Sequence, residues 1–203
     1  MIKKIPLFRL FIALIFSLLL FSCAPEEKKI VQVDGSQLSS LTLKSLDGKI
    51  FSVSGLLKNH PASVFYFLMP GCPMCESYTR TINELAQKFS ANEISFSVVF
   101  SSPDYTDEEI NSFREDFHLS LPFYRDSAFV FTRALGAAVT PEVFVLDSVS
   151  TVLYNGSIDN WAYAAGKKRM EATEFFLNAA LENIVSGKPV AVKSTPAYGC
   201  LIE

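Results

Sequence analysis

The chain has 203 residues, a length that suits one domain preceded by a leader. Hydrophobic residues account for 49% of the chain and charged residues for 19%, which allows a well-filled core and excludes a wholly disordered protein. The formal net charge is -3 and no basic patch or stripe is present, so nucleic acid is excluded as a partner.

Residues 1–22 have the pattern of an export signal. Lys3, Lys4 and Arg9 precede an apolar run at residues 10–21, which is too short to span a membrane as a helix. The pattern therefore predicts a signal peptide over residues 1–22 and a location outside the cytoplasm, where disulfides persist.

Cys23 follows the apolar run directly, and the ending of that run resembles a bacterial lipoprotein signal. In such proteins the leader is removed before the cysteine, which is then acylated. The resemblance implies a membrane anchor on Cys23 in the cell envelope, followed by a polar tether over residues 23–37 with a short strand at 30–33. Ordinary secretion, with cleavage near Ala24, is the alternative.

The next part of the chain alternates strand and helix patterns. Asp47-Gly48 lies between two short apolar runs and predicts an N-terminal β-hairpin. The run at residues 64–68 has no polar alternation, which predicts a strand buried on both faces. A helix at about 75–89 and a strand at 94–100 follow, and this strand–helix–strand unit should be parallel and right-handed.

The second half continues the alternation, beginning with Thr106 and Glu109, which form the pattern of a capping box. The later predicted elements are a strand at 123–124, a helix from Asp126 or Ser127 to Gly136, strands at 143–146 and 152–154, and a helix at 170–185. Together they predict an α/β domain over residues 38–187, with a central mixed sheet covered by helices on both faces, and an extended tail over 188–203.

Two cysteines, Cys72 and Cys75, lie where the buried strand gives way to a helix. Cys72 falls at the helix N-terminus, where free N–H groups and the helix dipole favour a thiolate. Pro73 fits the first helical turn, and Cys75 is one turn further on, where it could resolve a mixed disulfide. No second cysteine or histidine pair has metal-ligand spacing, so redox chemistry is favoured over a zinc site.

Thr140-Pro141 precedes the predicted strand at 143–146. Proline cannot donate a hydrogen bond to a sheet, so it belongs at the start of a strand or at an edge. Considered alone, the bond before Pro141 is expected to be trans, because few X–Pro bonds in folded proteins are cis.

These motifs, with the segment at 154–159, resemble those of the thioredoxin-like superfamily, and within it the redoxin group, which includes alkyl-hydroperoxide-reductase/thiol-specific-antioxidant relatives and tethered reductases. The resemblance covers residues 38–185 and implies a three-layer α/β/α fold. It also implies that Pro141 is cis and lies against the cysteine pair, and that the backbone at Thr140 pairs with a substrate strand. Cys72 would be the attacking thiolate and Cys75 the buried resolving thiol, forming a Cys72–Cys75 disulfide.

The chain departs from the family pattern at two places. Gly71 stands where many relatives have tryptophan before the first cysteine, and Tyr66 stands where thioredoxin has a buried acid. Glu76 is a candidate replacement for that acid, although an acid in a first helical turn also simply compensates the dipole. Cys200, in the tail, is either a third redox thiol that exchanges with Cys72 or a cysteine on the domain surface.

The expected function is therefore an extracytoplasmic thiol–disulfide oxidoreductase that acts on protein dithiols and disulfides. A monomer is expected, with no metal or organic cofactor. One alternative is a redoxin-type thiol peroxidase with Cys200 resolving, but the positions three and seven residues before Cys72 hold Met69 and Phe65 instead of the threonine and proline of peroxidases. Another is a non-catalytic tethered binding module with a static disulfide.

Overall fold

The computed structural model describes residues 35–203, and the predicted signal peptide, Cys23 and the strand at 30–33 lie outside this range. In chain order the elements are α1 (Gly35–Ser40), β1 (Thr42–Ser45), β2 (Ile50–Ser52), α2 (Val53–Leu57), β3 (Ser63–Leu68), α3 (Pro73–Lys88), a 3-10 turn (Ser90–Asn92), β4 (Ser95–Phe100), α4 (Asp107–Asp116), β5 (Phe123–Arg125), α5 (Val130–Leu135), β6 (Val139–Thr140), β7 (Glu142–Leu146), β8 (Val152–Gly156), β9 (Ala162–Ala164), β10 (Lys167–Lys168), α6 (Phe176–Val185) and β11 (Cys200–Leu201). Within the described range, none of the helices is both long and apolar enough to cross a membrane.

A mixed sheet with the strand order β2-β1-β5-β4-β3-β7-β8 forms the centre of the described residues. Strand β3 pairs in parallel with β4 and antiparallel with β7, and every residue of β3 is buried. This confirms the prediction of a parallel unit whose first strand is covered on both faces. The predicted hairpin is also present, since β1 and β2 pair antiparallel.

The helices cover both faces of the sheet. Buried side chains of α3, α4 and α6 pack on one face against the even-numbered residues of β3, such as Tyr66. Those of α1, α2 and α5 pack on the other face against Phe65 and Phe67. The result is the predicted three-layer α/β/α arrangement, with α3 placed so that its first turn meets the end of β3.

Two helices begin later than predicted, and in each case a side chain holds backbone N–H groups at or before the start of the helix. Asp126 does not lie next to α5, but its carboxylate accepts hydrogen bonds from the N–H groups of Val130 and Thr132 at 2.9 and 2.7 Å. The helix expected from residue 170 begins at Phe176. Before it, the amide oxygen of Asn160 accepts from the N–H groups of Thr173 and Glu174, which holds that segment as a loop.

The short helix α1 overlaps residues 35–37, the end of the segment predicted as a tether. Leu38 is fully buried in the core on the α5 side of the sheet. One apolar side chain therefore fixes this segment to the domain, although the surrounding residues are polar.

Candidate functional site

The N-terminus of α3 positions the first cysteine. Strand β3 ends at Leu68, and the chain turns through Gly71, whose φ of 73° favours glycine. Cys72 caps the helix with its carbonyl, which accepts a hydrogen bond from the Glu76 N–H at 3.0 Å, and Pro73 occupies the first helical position. As predicted, the Cys72 sulfur lies at the end of the helix where an anion is favoured.

Cys75 lies inside α3 and is fully buried. Burial raises the pKa of its thiol to about 12, and the charge of Glu76 acts in the same direction. Hydrogen bonds with Thr140 and with the backbone at Met69 act in the opposite direction but do not outweigh burial. In this state Cys75 is therefore a neutral thiol at physiological pH.

The Thr140-Pro141 peptide bond is cis. The family resemblance implied this isomer, whereas the low frequency of cis X–Pro bonds favoured trans. Thr140 and Pro141 are both buried, and the Thr140 carbonyl oxygen lies 3.6 Å from the Cys72 sulfur. The structure thus brings together Cys72, Cys75, Thr140 and Pro141, from two segments that are far apart in the sequence.

The disulfide of this structure joins Cys72 to Cys200, and Cys75 is a free thiol, which corrects the predicted Cys72–Cys75 pairing for this state of the protein. The reason is the path of the tail. Strand β11 pairs antiparallel with β6 and sets Cys200 opposite Thr140, beside Cys72. The Cα atoms of the bonded cysteines are 6.4 Å apart, within the range that disulfides span. The bond to Cys72 favours the interpretation of Cys200 as a redox thiol over that of a cysteine lying on the domain surface.

The tail is also fixed to the domain before it reaches Cys200. Thr195 is buried, its N–H donates to the carbonyl of Asn155 at 3.0 Å, and its hydroxyl accepts from the N–H of Ser157 at 3.0 Å. Gly156 permits this approach, because a Cβ atom there would overlap the carbonyl oxygen of Thr195. Sequence analysis missed this anchor, since a single threonine in a polar tail carries no recognisable pattern.

Tyr66 stands at the position where thioredoxin has a buried acid, and its side chain is completely buried. Its hydroxyl has no hydrogen-bond partner among the described residues, and burial raises its pKa above the usual value for tyrosine. The side chain is therefore a neutral phenol in a largely apolar setting, stacked on Phe96 at 6.4 Å between ring centroids.

Replacing Tyr66 with phenylalanine is expected to raise the free energy of unfolding by about 1–2 kcal/mol, because a buried hydroxyl without a partner costs about that much. Urea unfolding of the full-length chain with its disulfide intact measures the change. Tyr154→Phe is the matched control: Tyr154 is equally buried, but its hydroxyl donates to the Ser157 carbonyl, so its loss should destabilise the protein. Equal effects of the two substitutions would contradict this account of Tyr66.

A groove of about 870 Å³ runs between α3 and α6, lined in part by Tyr78 and Trp161, but neither cysteine of the pair borders it. A second cavity, of about 420 Å³, borders the motif at Pro70, Gly71 and Glu76. In residues 35–203, no cluster of three or more histidine, cysteine, aspartate or glutamate side chains is arranged to hold a metal ion.

Comparisons with known proteins agree with this geometry. The Redoxin family model matches residues 33–161. An uncharacterised conserved protein from Geobacillus kaustophilus is 21% identical, with a TM-score of 0.72, covering 87% of this chain and 93% of its own. A search of curated protein sequences returned no match.

Two further solved structures share the fold at lower similarity. A secreted Mycobacterium tuberculosis disulfide oxidoreductase is 16% identical, with a TM-score of 0.51, covering 75% of this chain and 98% of its own. Peroxiredoxin Q of Xanthomonas campestris is 13% identical, with a TM-score of 0.55, covering 78% and 96%. At these identities the likeness establishes the thioredoxin-like fold alone. The family match spans most of the chain and includes Cys72, Cys75 and Pro141, and on this basis the chain belongs to the Redoxin family.

Proposed function

We propose that this protein is a thiol–disulfide oxidoreductase of the cell envelope, anchored through an acylated Cys23, that exchanges with disulfides of other proteins. The Redoxin family and the thioredoxin-like fold support oxidoreductase activity in general. The observation that carries the finer proposal is the position of the Cys72 sulfur, at a helix N-terminus beside cis Pro141, bonded to a cysteine on an extended strand. A sulfur on a strand paired with Thr140 can therefore reach Cys72.

The proposed reaction has two exchange steps. The Cys72 thiolate attacks one sulfur of a partner disulfide, the partner's other sulfur leaves and takes a proton, and a mixed disulfide forms. Cys75 then attacks Cys72, gives up its proton and releases the partner's second thiol, leaving a Cys72–Cys75 disulfide. The partner gains two electrons and the cysteine pair loses two. An external dithiol protein then reduces the Cys72–Cys75 bond with two electrons of its own and is itself oxidised to a disulfide. No metal or organic cofactor takes part.

The peroxidase alternative is favoured by one observation, the bond between Cys72 and a cysteine 128 residues away, because a remote resolving cysteine produces such a bond. The residues before Cys72 weigh against it, since the threonine and proline typical of peroxidases are missing. Consumption of hydrogen peroxide with a sulfenic acid on Cys72 would support this alternative. The static-module alternative assumed a Cys72–Cys75 bond, and this structure contains a different one.

Insulin reduction by dithiothreitol tests the proposal. The full-length chain in detergent should accelerate insulin precipitation well beyond the rate with dithiothreitol alone. The control is the same protein reduced and then alkylated on its cysteines, which should give only the background rate. Equal rates for the untreated and alkylated proteins would overturn the proposed function.

A further inference from the structure

The C-terminal segment 199–202, here called the tail strand, occupies the edge of β6 directly over the reactive sulfur. Cys200 pairs with Thr140 and Leu201 with Val139, and the Ile202 N–H donates to the Ala138 carbonyl at 3.0 Å. We propose that the tail strand is a tethered substitute for the partner, capping the same edge at which an extended partner segment with a glycine before its cysteine docks. This inference rests on the proposed exchange function.

The glycine requirement follows from the contact at Gly199. A Cβ atom there would overlap the carbonyl oxygen of Thr140 and lie 2.6 Å from its carbonyl carbon. The φ angle of Gly199 is not in the left-handed region, so its backbone could accommodate an alanine. The obstacle is the backbone of Thr140, which belongs to the docking edge. Any segment that binds in the register of the tail strand, from the tail or from a partner, therefore needs glycine before its cysteine. A partner without that glycine has to reach Cys72 in another register, with fewer of these backbone contacts.

The edge offers main-chain groups to any extended segment. Strand β6 pairs with β11 alone in its small sheet, and the Thr140 hydroxyl lies 3.4 Å from the Cys200 carbonyl oxygen, to which it donates. These contacts use backbone atoms and one hydroxyl, so they select an extended backbone rather than particular side chains. Leu201 contributes little of its side chain, which is 62% exposed.

The tail and a partner exclude each other because both need the same edge and the same sulfur. The anchor at Thr195 keeps Cys200 close even when its disulfide is broken. The tail strand is released from β6 by a thiol–disulfide exchange within the chain. Cys75 attacks Cys72, a Cys72–Cys75 bond forms and the Cys72–Cys200 bond breaks. Cys200 takes up the proton that Cys75 releases. The chain holds one thiol and one disulfide both before and after this exchange, so the exchange consumes no oxidant or reductant. The external dithiol protein of the proposed function then reduces the Cys72–Cys75 bond and leaves Cys72 free to attack a partner.

An exchange equilibrium tests the proposal directly. The background is the full-length Cys75→Ala variant in its Cys72–Cys200 form, in which the internal route is removed. The probe is a peptide thiol with the sequence of residues 197–202, which displaces Cys200 and forms a mixed disulfide with Cys72. Because a tethered thiol competes at an effective concentration of about 1 mM, a peptide at about 10 µM should capture only about 1% of the protein.

Adding Gly199→Ala should raise the captured fraction at least tenfold, because the tail strand can no longer pair with β6 while Cys200 remains in the chain. Adding Leu201→Ala is the matched control and should leave capture unchanged, since it keeps the backbone pairing. A probe peptide with alanine in place of its glycine should be captured about tenfold less than the original peptide by the Gly199→Ala protein. This arm leaves the protein unaltered between measurements and so does not depend on how a variant folds.

The outcomes separate the tail proposal from the proposed function. If the glycine and alanine peptides are captured equally, or if Gly199→Ala behaves like Leu201→Ala, the tail strand does not mimic a partner and only this inference falls. If no variant captures peptide even at mM concentrations, Cys72 does not exchange with strand-borne cysteines, and the proposed function falls with it.

Discussion

Replacing Cys72 with serine is expected to lower the rate of insulin reduction by at least about 10³-fold, because an alcohol is a far weaker nucleophile than a thiolate. Cys72 is the sulfur at the N-terminus of α3, and Cys75 cannot take over its role. Cys75 lies inside the helix, and in the Cys72–Cys200 form burial raises its pKa to about 12, so little of it is a thiolate at neutral pH. The measurement is the initial rate of insulin precipitation by the full-length chain with dithiothreitol.

Ser77→Ala is a suitable control for this substitution. Ser77 is exposed on the next turn of the same helix, and its hydroxyl donates only to the Pro73 carbonyl within that helix. Its removal should leave the rate within about twofold of the wild type, because an exposed substitution away from the reacting atoms changes little. A Cys72→Ser protein as active as the Ser77→Ala protein would show that reduction does not pass through Cys72.

The central part of the fold could be predicted because its signals are local. A buried apolar run at β3, a turn at Gly71 and an apolar face on α3 are each visible over a few residues. They place Cys72 at the helix N-terminus without any knowledge of the rest of the chain. The resemblance then added the cis bond at Pro141, which no local signal reveals, because the isomer is set by tertiary contacts.

The disulfide could not be predicted in the same way. Three thiols outside the lipidation site allow several pairings, and a sequence does not specify which one forms. The choice depends on β11, which has only two residues and therefore shows no alternation of apolar and polar side chains. The contact of Gly199 with Thr140 explains the glycine before Cys200, but a lone glycine in a tail has many possible causes. The pairing of β11 with β6, which joins distant parts of the sequence, determines which disulfide forms in this structure.

Alkylation of Cys75 in the Cys72–Cys200 form is expected to be about 10³-fold slower at pH 8 than alkylation of an unperturbed cysteine. Only the thiolate reacts, and raising the pKa from the ordinary 9.0 to about 12 leaves about a thousandth of the usual thiolate fraction at that pH. Because burial favours the protonated form, the rate should keep rising about tenfold per pH unit between pH 9 and 11, where an ordinary thiol levels off. Iodoacetamide labelling followed by peptide mass mapping measures the rate at Cys75.

The pH profile distinguishes the raised pKa from simple steric protection. If Cys75 reacted only when the protein opened, its rate would level off near pH 9, as it would for the same protein unfolded in urea. Such a plateau would contradict the prediction, and an intact Cys72–Cys200 bond, checked by mass without reduction, validates each point. The same pKa shift stabilises the folded state fully below about pH 9, and this stabilisation is lost as the pH rises toward 12, because the unfolded chain releases the proton first. Cys75 is thus held as a protonated reserve thiol behind Cys72, and its reaction has to be coupled to removal of its proton.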